Sequence, residues 1–451
     1  MNPLSRRSFL TASAAVASAG AVAQPRRAVP GRQPSPIVDV VVIGAGAAGI
    51  AAARRLAAAR LQVAVVEAMP RVGGRCITDT TSFDVPFDRG AHWLHVPEIN
   101  PVAKLAALPG IDIYPAPPGQ RIRIGRRYAR EAEMEDYLAA LVRATTAIGE
   151  AARGRLDVSC AQALPKDLGE WRSTIEFVLG PFGCAKDLAD VSAMDFARSS
   201  ERDTDAFCRQ GLGTLVARLA TAIPVQLSTR VTRVNYGERF GCELLTAKGQ
   251  LRSRAVIVTV STSVLASGRI AFDPDLPKRQ LDAAASLKLG SYDHVALEIP
   301  GNPFDLRADE LVFEKSSGPR TAALLGNSGG STLCIVDVAG SFGRDLAAKG
   351  EQEMIAFALD WLSDLYGAAV KNSVKRRLAT RWNQEPTALG AFSAAAPGSQ
   401  GARRVLMEPV RNRLWFAGEA VHETLWGTVG GAWESGERAA AAVVRSLTGR
   451  G

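Results

Sequence analysis

A short run of mostly β-branched residues, Val38-Asp39-Val40-Val41-Val42-Ile43, fits a strand buried on both faces. It leads directly into Gly44-Ala45-Gly46-Ala47-Ala48-Gly49. Ile50 to Arg60 then carries an alanine-rich helical pattern, and Leu61 to Val66 a second apolar strand that stops at Glu67. Strand, helix and strand within about thirty residues predict a βαβ unit with parallel strands.

From Pro97 to Arg202 the pattern is mainly helical, clearest over Met134 to Ile148 and Glu170 to Leu179. Strand signals return at Val225 to Leu227, Thr229 to Tyr236, Cys242 to Thr246 and Ala255 to Val260. Further strands over Val295 to Ile299, Leu311 to Glu314 and Cys334 to Val338, with a helix over Gln352 to Tyr366, imply a second, mixed lobe. Arg413 to Glu419 predicts one more strand, and Gly430 to Leu447 a long closing helix that returns the chain to the first lobe.

The expected fold class is therefore α/β, a two-lobed Rossmann-type fold with a mixed α+β substrate domain and a helical insertion. Residues 37–96, 205–270 and 401–451 are assigned to a discontinuous nucleotide-binding domain, and residues 97–204 and 271–400 to the substrate domain. A length of 451 residues exceeds what one core usually supports, and 47% apolar residues suffice for two.

Composition then narrows the function. The net charge is +9, but the basic residues are dispersed and no block of basic and aromatic residues suggests a nucleic-acid groove reader. Six cysteines lie far apart without a Cys-x-x-Cys pair, so no metal site is expected. Cys160 and Cys184 are a conceivable disulfide, with buried thiols the preferred reading.

Ser5-Arg6-Arg7-Ser8-Phe9-Leu10 is a twin-arginine pattern, followed by a mildly apolar run and an Ala-x-Ala site at Ala21-Val22-Ala23. Residues 1–23 are expected to be a cleaved signal peptide and residues 24–36 a flexible leader. The apolar run is too short for a stable membrane anchor. The expected destination is the periplasm or the exterior, reached by a route that carries folded proteins.

The glycine-rich turn follows a strand, opens a helix and is succeeded by an acidic residue at the next strand end, the context that makes Gly-x-Gly-x-x-Gly specific. Gly44 permits the tight turn, Gly46 lets backbone approach a pyrophosphate near Ala48 at the helix start, and Gly49 allows close helix–strand packing. Glu67 is placed for a ribose diol. Gly73-Gly74-Arg75, six residues past Glu67, resembles the extension of FAD-binding proteins, with Arg75 a charge-assisted phosphate partner.

On these residues the chain resembles the flavin amine oxidase family, which includes monoamine oxidases, polyamine oxidases and histone lysine demethylases. Gly90-Ala91-His92-Trp93 resembles the family's segment beside the flavin. Gln210 to Leu215 resembles its glycine-rich helix start, and Val231 stands where a backbone contact to adenine is expected. Phe416-Ala417-Gly418-Glu419-Ala420 with Gly427-Thr428-Val429-Gly430-Gly431 is the most specific part. There Glu419 would bind a cofactor hydroxyl, and the helix start at Thr428 and Val429 would face the electron-accepting edge of the flavin ring. The resemblance implies non-covalent FAD, since Ala391 stands where some members carry a tethering cysteine. It also implies an amine that loses a hydride equivalent to flavin N5, leaving an imine that hydrolyses, with reoxidation by O2 or by another, periplasmic acceptor.

Three positions depart from the family. Leu287-Lys288-Leu289-Gly290 leads to His294 where many members have a lysine that holds a water, so His294 is a candidate for that water or for proton transfer. The two-tyrosine cage of monoamine oxidases is replaced by Phe392 and Thr428, with Trp93, Trp382 and Trp426 as further candidate walls. His294, Phe392, Thr428 and Trp93 are thus the catalytic candidates. The expected substrate is a small primary or secondary amine, a polyamine or an N-heterocycle. The rivals are an L-amino-acid oxidase, with Arg121, Arg123 and Arg381 as candidate carboxylate clamps, and a flavin-dependent desaturase. A homodimer is one open option for the assembly.

Overall fold

The structure is a computed structural model that describes residues 37–199, 204–237 and 241–449. The expected signal peptide and leader lie outside the described residues.

The strand Ile37–Ile43 is the centre of an eight-stranded sheet. Val63–Val66 lies parallel on one side, with Val40 opposite Val63. Gly249–Val258 lies parallel on the other, with Val41 opposite Val256. Val225–Gln226 extends one edge, and Cys242–Thr246, Val231–Asn235 and Ala271–Asp273 extend the other. Val40, Val41 and Val42 are fully buried, each contributing roughly 1.5–3 kcal/mol. Both faces are covered, which is why this strand shows no polar alternation.

The helix Ala47–Ala58 crosses one face, and its alanines let a neighbour approach closely. That neighbour is the last helix, Val429–Thr448, where a Cβ on Gly436 would come within 2.1 Å of the Ala48 carbonyl oxygen. The strand Leu414–Phe416 pairs with Val256 to Val258 just before it. The chain's end is thus built into the core made by its beginning, as the sequence led one to expect.

A second, seven-stranded sheet runs in the order Arg377–Ala379, Tyr292–Glu298, Leu333–Ala339, Ala323–Gly326, Glu310–Glu314, Arg121–Ile124, Arg127–Tyr128. The helix Glu351–Tyr366 covers it through Met354, Ala358 and Leu362. The helical part is led by Glu131–Ala151. The helix expected over Glu170 to Leu179 is a 3₁₀ turn, an α-helix over Arg172–Phe177 and a π-turn over Val178–Phe182. Pro181 has no N–H to donate and crowds the carbonyl a turn back, so the ladder widens there.

Several strands were not foreseen. Leu94–His95, Asp205–Cys208 and Ile113–Pro115 form a small sheet, and Arg121–Ile124 lies within the segment expected to be mainly helical. Each is too short to show alternation. Ala271–Asp273, placed with the substrate domain by sequence, pairs with Val231–Asn235 at the edge of the first sheet. All six cysteines are buried thiols, none in a disulfide. Among the described residues no helix is long and apolar enough to cross a membrane, and no group of three or more His, Cys, Asp or Glu is placed to hold a metal.

Candidate active site

The turn after the first strand is fixed by hydrogen bonds from two sides. Gly44 takes a φ of +104°, and its N–H donates to the Val66 carbonyl at 2.8 Å. The Ala45 N–H donates to the Glu67 carboxylate at 2.7 Å, and the Met69 N–H to its other oxygen at 2.9 Å. Glu67 therefore ties the turn to the second strand while each oxygen keeps a further lone pair. Gly73 bridges to Gly46, its N–H donating to the Ala45 carbonyl at 2.8 Å.

Two glycines of the turn differ in what requires them. A Cβ on Gly49 would lie 1.9 Å from the Gly44 carbonyl oxygen, a clash inside the protein. A Cβ on Gly46 would meet no protein atom nearer than 3.7 Å. Gly46 is also the N-cap of the first helix and offers no side-chain cap to its free N–H groups. The space in front of it is a cradle for an anionic group, the property a dinucleotide diphosphate needs.

That space belongs to a cavity of about 820 Å³. One end is lined by Gly44, Gly46, Ala48, Glu67, Arg230 and Val231, and the middle by Gly74, Arg75, Gly90, Ala91, Gly418 and Glu419. His92, Trp93, His294, Phe392, Thr428 and Val429 line it farther on. Of the residues expected to hold cofactor, Gly49 alone is absent from the lining, since its role is helix packing. Residues 210–215 are absent as well: Leu212 and Gly213 donate to the Asp88 carboxylate at 2.8 and 3.2 Å, which caps the helix Leu212–Leu219 behind the wall.

Glu419 lines the cavity and is also the hub of a network within the protein. It is buried, and its carboxylate accepts from Arg75 at 3.0 Å, the Ser393 hydroxyl at 2.7 Å and the Gly427 N–H at 2.9 Å. Burial opposes its charge, yet Arg75, Ser393 and Arg403 together hold it below the usual glutamate value. Arg75 also donates to the Ala391 carbonyl. Behind them Arg403 donates to both oxygens of Asp195 at 2.7 Å and to the Ser393 hydroxyl at 3.1 Å. The network joins segments from four parts of the chain into one wall. Ser393, Arg403 and Asp195 had no sequence signal, because nothing in their spacing shows that they meet.

The far end of the cavity is aromatic and acidic. Phe392 faces Tyr292 with ring centroids 5.8 Å apart, beside Phe182. Tyr292 was missed, although it stands two residues before His294 on one strand and so on the same face. Trp93 and Trp382 line the cavity, whereas Trp426 is buried in the core beneath the Arg403 guanidinium. The Thr428 hydroxyl donates to the Leu425 carbonyl and accepts from the Gly431 N–H, so it caps the last helix and gives the cavity shape rather than a free polar group. Glu98, Asp205 and Asp309 also line the cavity, the Asp205 carboxylate 2.7 Å from His95 Nδ1 and the Asp309 carboxylate accepting from the Tyr114 hydroxyl and the Gly329 N–H.

His294 is buried, with Nδ1 2.5 Å from Asp337 Oδ1 and Nε2 3.0 Å from the Gly90 carbonyl oxygen. Burial disfavours charge on the ring, but Asp337 and the Gly90 carbonyl outweigh it and raise the group above its ordinary value of 6.5. With both nitrogens occupied, it has none free for a water, contrary to the role considered from sequence. The proposed carboxylate clamps are elsewhere too. Arg121 packs on the Tyr128 ring, Arg123 is buried with an N–H on the Leu365 carbonyl, and neither these nor Arg381 line the cavity.

Comparison with known proteins gives the family and the fold. The chain is 28% identical to "Polyamine oxidase 4" of Oryza sativa subsp. japonica over 440 residues, covering 89% of this chain and 88% of the relative. It is 28% identical to "Lysine-specific histone demethylase 1 homolog 1" of the same plant, covering 92% of this chain but 53% of that one, about half its length. Among solved structures, cyclohexylamine oxidase from Brevibacterium oxydans superposes with a TM-score of 0.75 at 22% identity, covering 92% of this chain and all of the other, which shows the shared fold. The sequence pattern of the flavin containing amine oxidoreductases matches residues 47–444. With a dinucleotide turn, an aromatic end and a family match over most of its length, the chain belongs to the flavin containing amine oxidoreductases.

Proposed function

We propose that the protein oxidises a small or elongated cationic amine, a primary or secondary amine, a polyamine or an N-heterocycle, at non-covalently held FAD. The observation that carries this reading is one continuous cavity running from the glycine turn to a chamber walled by Phe392, Tyr292 and Trp382 and edged by Glu98, Asp205 and Asp309. Aromatic faces and carboxylates are the chemistry that collects a cation. The nucleotide would be held by Gly46, Glu67, Arg75 and Val231, with residues 37–96, 205–270 and 401–451 as its domain.

When bound, FAD supplies the acceptor for two electrons and a hydrogen from the carbon next to nitrogen. The chain's own part is to position the amine, to exclude water through the apolar lining and to fix the charges around the ring. Cys76 is the one cysteine along the cavity, and burial pushes its thiol up to about 12, which leaves it protonated and supports non-covalent binding. Export by the twin-arginine route, and O2 or a periplasmic carrier as acceptor, belong to the same proposal.

The test is anaerobic mixing of the yellow holoprotein with a panel of amines and amino acids while flavin absorbance is followed. Bleaching by one or more amines is expected. Bleaching by amino acids alone would overturn the reading, and the rate of colour return on admitting air separates an oxidase from a dehydrogenase.

A further inference from the structure

His294 stands at the centre of an arrangement that the reaction chemistry does not itself require. Its Nε2 faces a carbonyl oxygen, that of Gly90, which only accepts, so Nε2 carries a hydrogen. Its Nδ1 lies 2.5 Å from Asp337 Oδ1, too close for two bare lone pairs, so a second hydrogen lies between them. The Tyr292 hydroxyl donates to the other oxygen of Asp337 at 2.8 Å and fixes that carboxylate in place. The side chains of His294 and Asp337 are 9% and 5% exposed, so the pair is largely shielded from bulk solvent although His294 borders the cavity.

One other charge acts on the ring from nearby, that of Asp293, and it too favours the protonated form. On its own strand Asp293 points away, accepting from the Thr380 hydroxyl at 2.9 Å and the Trp382 N–H at 2.7 Å. Asp337 comes from the neighbouring strand Leu333–Ala339, opposite His294 in register. Phe87 and Tyr292 present ring edges at centroid distances of 6.3 and 5.6 Å. The backbone N–H of His294 donates to Thr380 Oγ1 at 2.9 Å, which sets the height of the ring against Gly90.

We infer that His294 is a positioning residue, a ring that keeps both of its hydrogens through the neutral range and tethers the Gly90 carbonyl, so that residues 90–93 form a fixed wall of the cavity. Gly90, Ala91, His92 and Trp93 all line the cavity, and Gly90 is also closed in by Trp382, whose Cζ2 lies 2.8 Å from where its Cβ would be. The tether links this wall to the second sheet, and the Trp382 indole N–H adds a bond to the neighbouring Arg89 carbonyl at 2.8 Å. Asp337 keeps the ring loaded, and Tyr292, itself part of the aromatic chamber, keeps Asp337 turned toward it. The inference rests on the proposed function only for what occupies the cavity.

The test begins with the wild-type holoprotein and needs no turnover. The chain has four histidines, so nitrogen-15 NMR of labelled imidazoles resolves each ring, and His294→Gln identifies its signal by loss. The expected result is that both His294 nitrogens still carry hydrogen across the neutral range to about pH 7.5, where an ordinary histidine has lost one. A ring with one bare nitrogen at pH 7.5 would overturn the inference. In Asp337→Asn one nitrogen is expected to lose its hydrogen within that range, and the pH profile of flavin reduction by the best amine is expected to gain a limb that the wild type lacks. An unchanged spectrum and profile in that variant would count equally against the role, and if the variant does not fold the wild-type spectrum decides.

Discussion

Asp293 shows how a single buried carboxyl sets a pH dependence. It is fully buried, one oxygen holds Thr380 and Trp382, and the other has no partner. Burial, partly offset by those hydrogen bonds, raises it from 3.8 to about 6. A raised carboxyl binds more protons in the folded than in the unfolded chain between those two values, so stability falls as pH rises from about 4 to about 6 and stays lower above. Asp293→Asn is expected to flatten that slope in urea titrations across the range, and a slope equal to the wild type's would refute the assignment. The residues legible from sequence were those whose role is local. Gly44, Gly46 and Glu67 announce themselves through neighbours in one βαβ unit. Ser393, Arg403, Asp195 and Asp337 act through partners far along the chain, and no spacing rule reaches them.

Among elements, the first helix separates packing from binding. Gly49→Ala would drive a methyl against the Gly44 carbonyl, and overpacking of this kind costs about 1–3 kcal/mol. Gly46 has an ordinary φ of −79° and open space beside it, so Gly46→Ala costs the empty protein little while obstructing whatever lies in the cradle. The expected outcome is a lowered melting temperature for flavin-free Gly49→Ala, and for Gly46→Ala an unchanged melt with less bound flavin. The reverse pattern would show that the turn does not face the cofactor. Long elements with a clear period, such as Glu351–Tyr366 and Val429–Thr448, were found by pattern nearly in full, and the buried strand Ile37–Ile43 by its unbroken apolar run. Short ones such as Asp205–Cys208 and Ile113–Pro115 exist only because a partner strand is beside them, so their own residues do not declare them.

For the whole molecule, the cavity draws its walls from both large sheets, so filling it should bind them into one cooperative unit. Acid precipitation of the yellow protein is expected to leave all the colour in the supernatant, and colour retained by the pellet would refute non-covalent binding. Protein stripped of flavin and then resupplied is expected to melt in a single transition, stabilised by about 4 kcal/mol at a thousandfold excess over Kd. Two separate transitions in the refilled protein would argue against the shared cavity as the point of coupling.

The strand Leu414–Phe416 and the helix Val429–Thr448 complete the sheet and the cavity begun by residues 37–66. During synthesis they leave the ribosome long after residues 37–66, so a growing chain has the glycine cradle early but no closed chamber until residues 414–448 have emerged. Loading with flavin therefore waits for this late strand and helix, and colour serves as a report that they have docked.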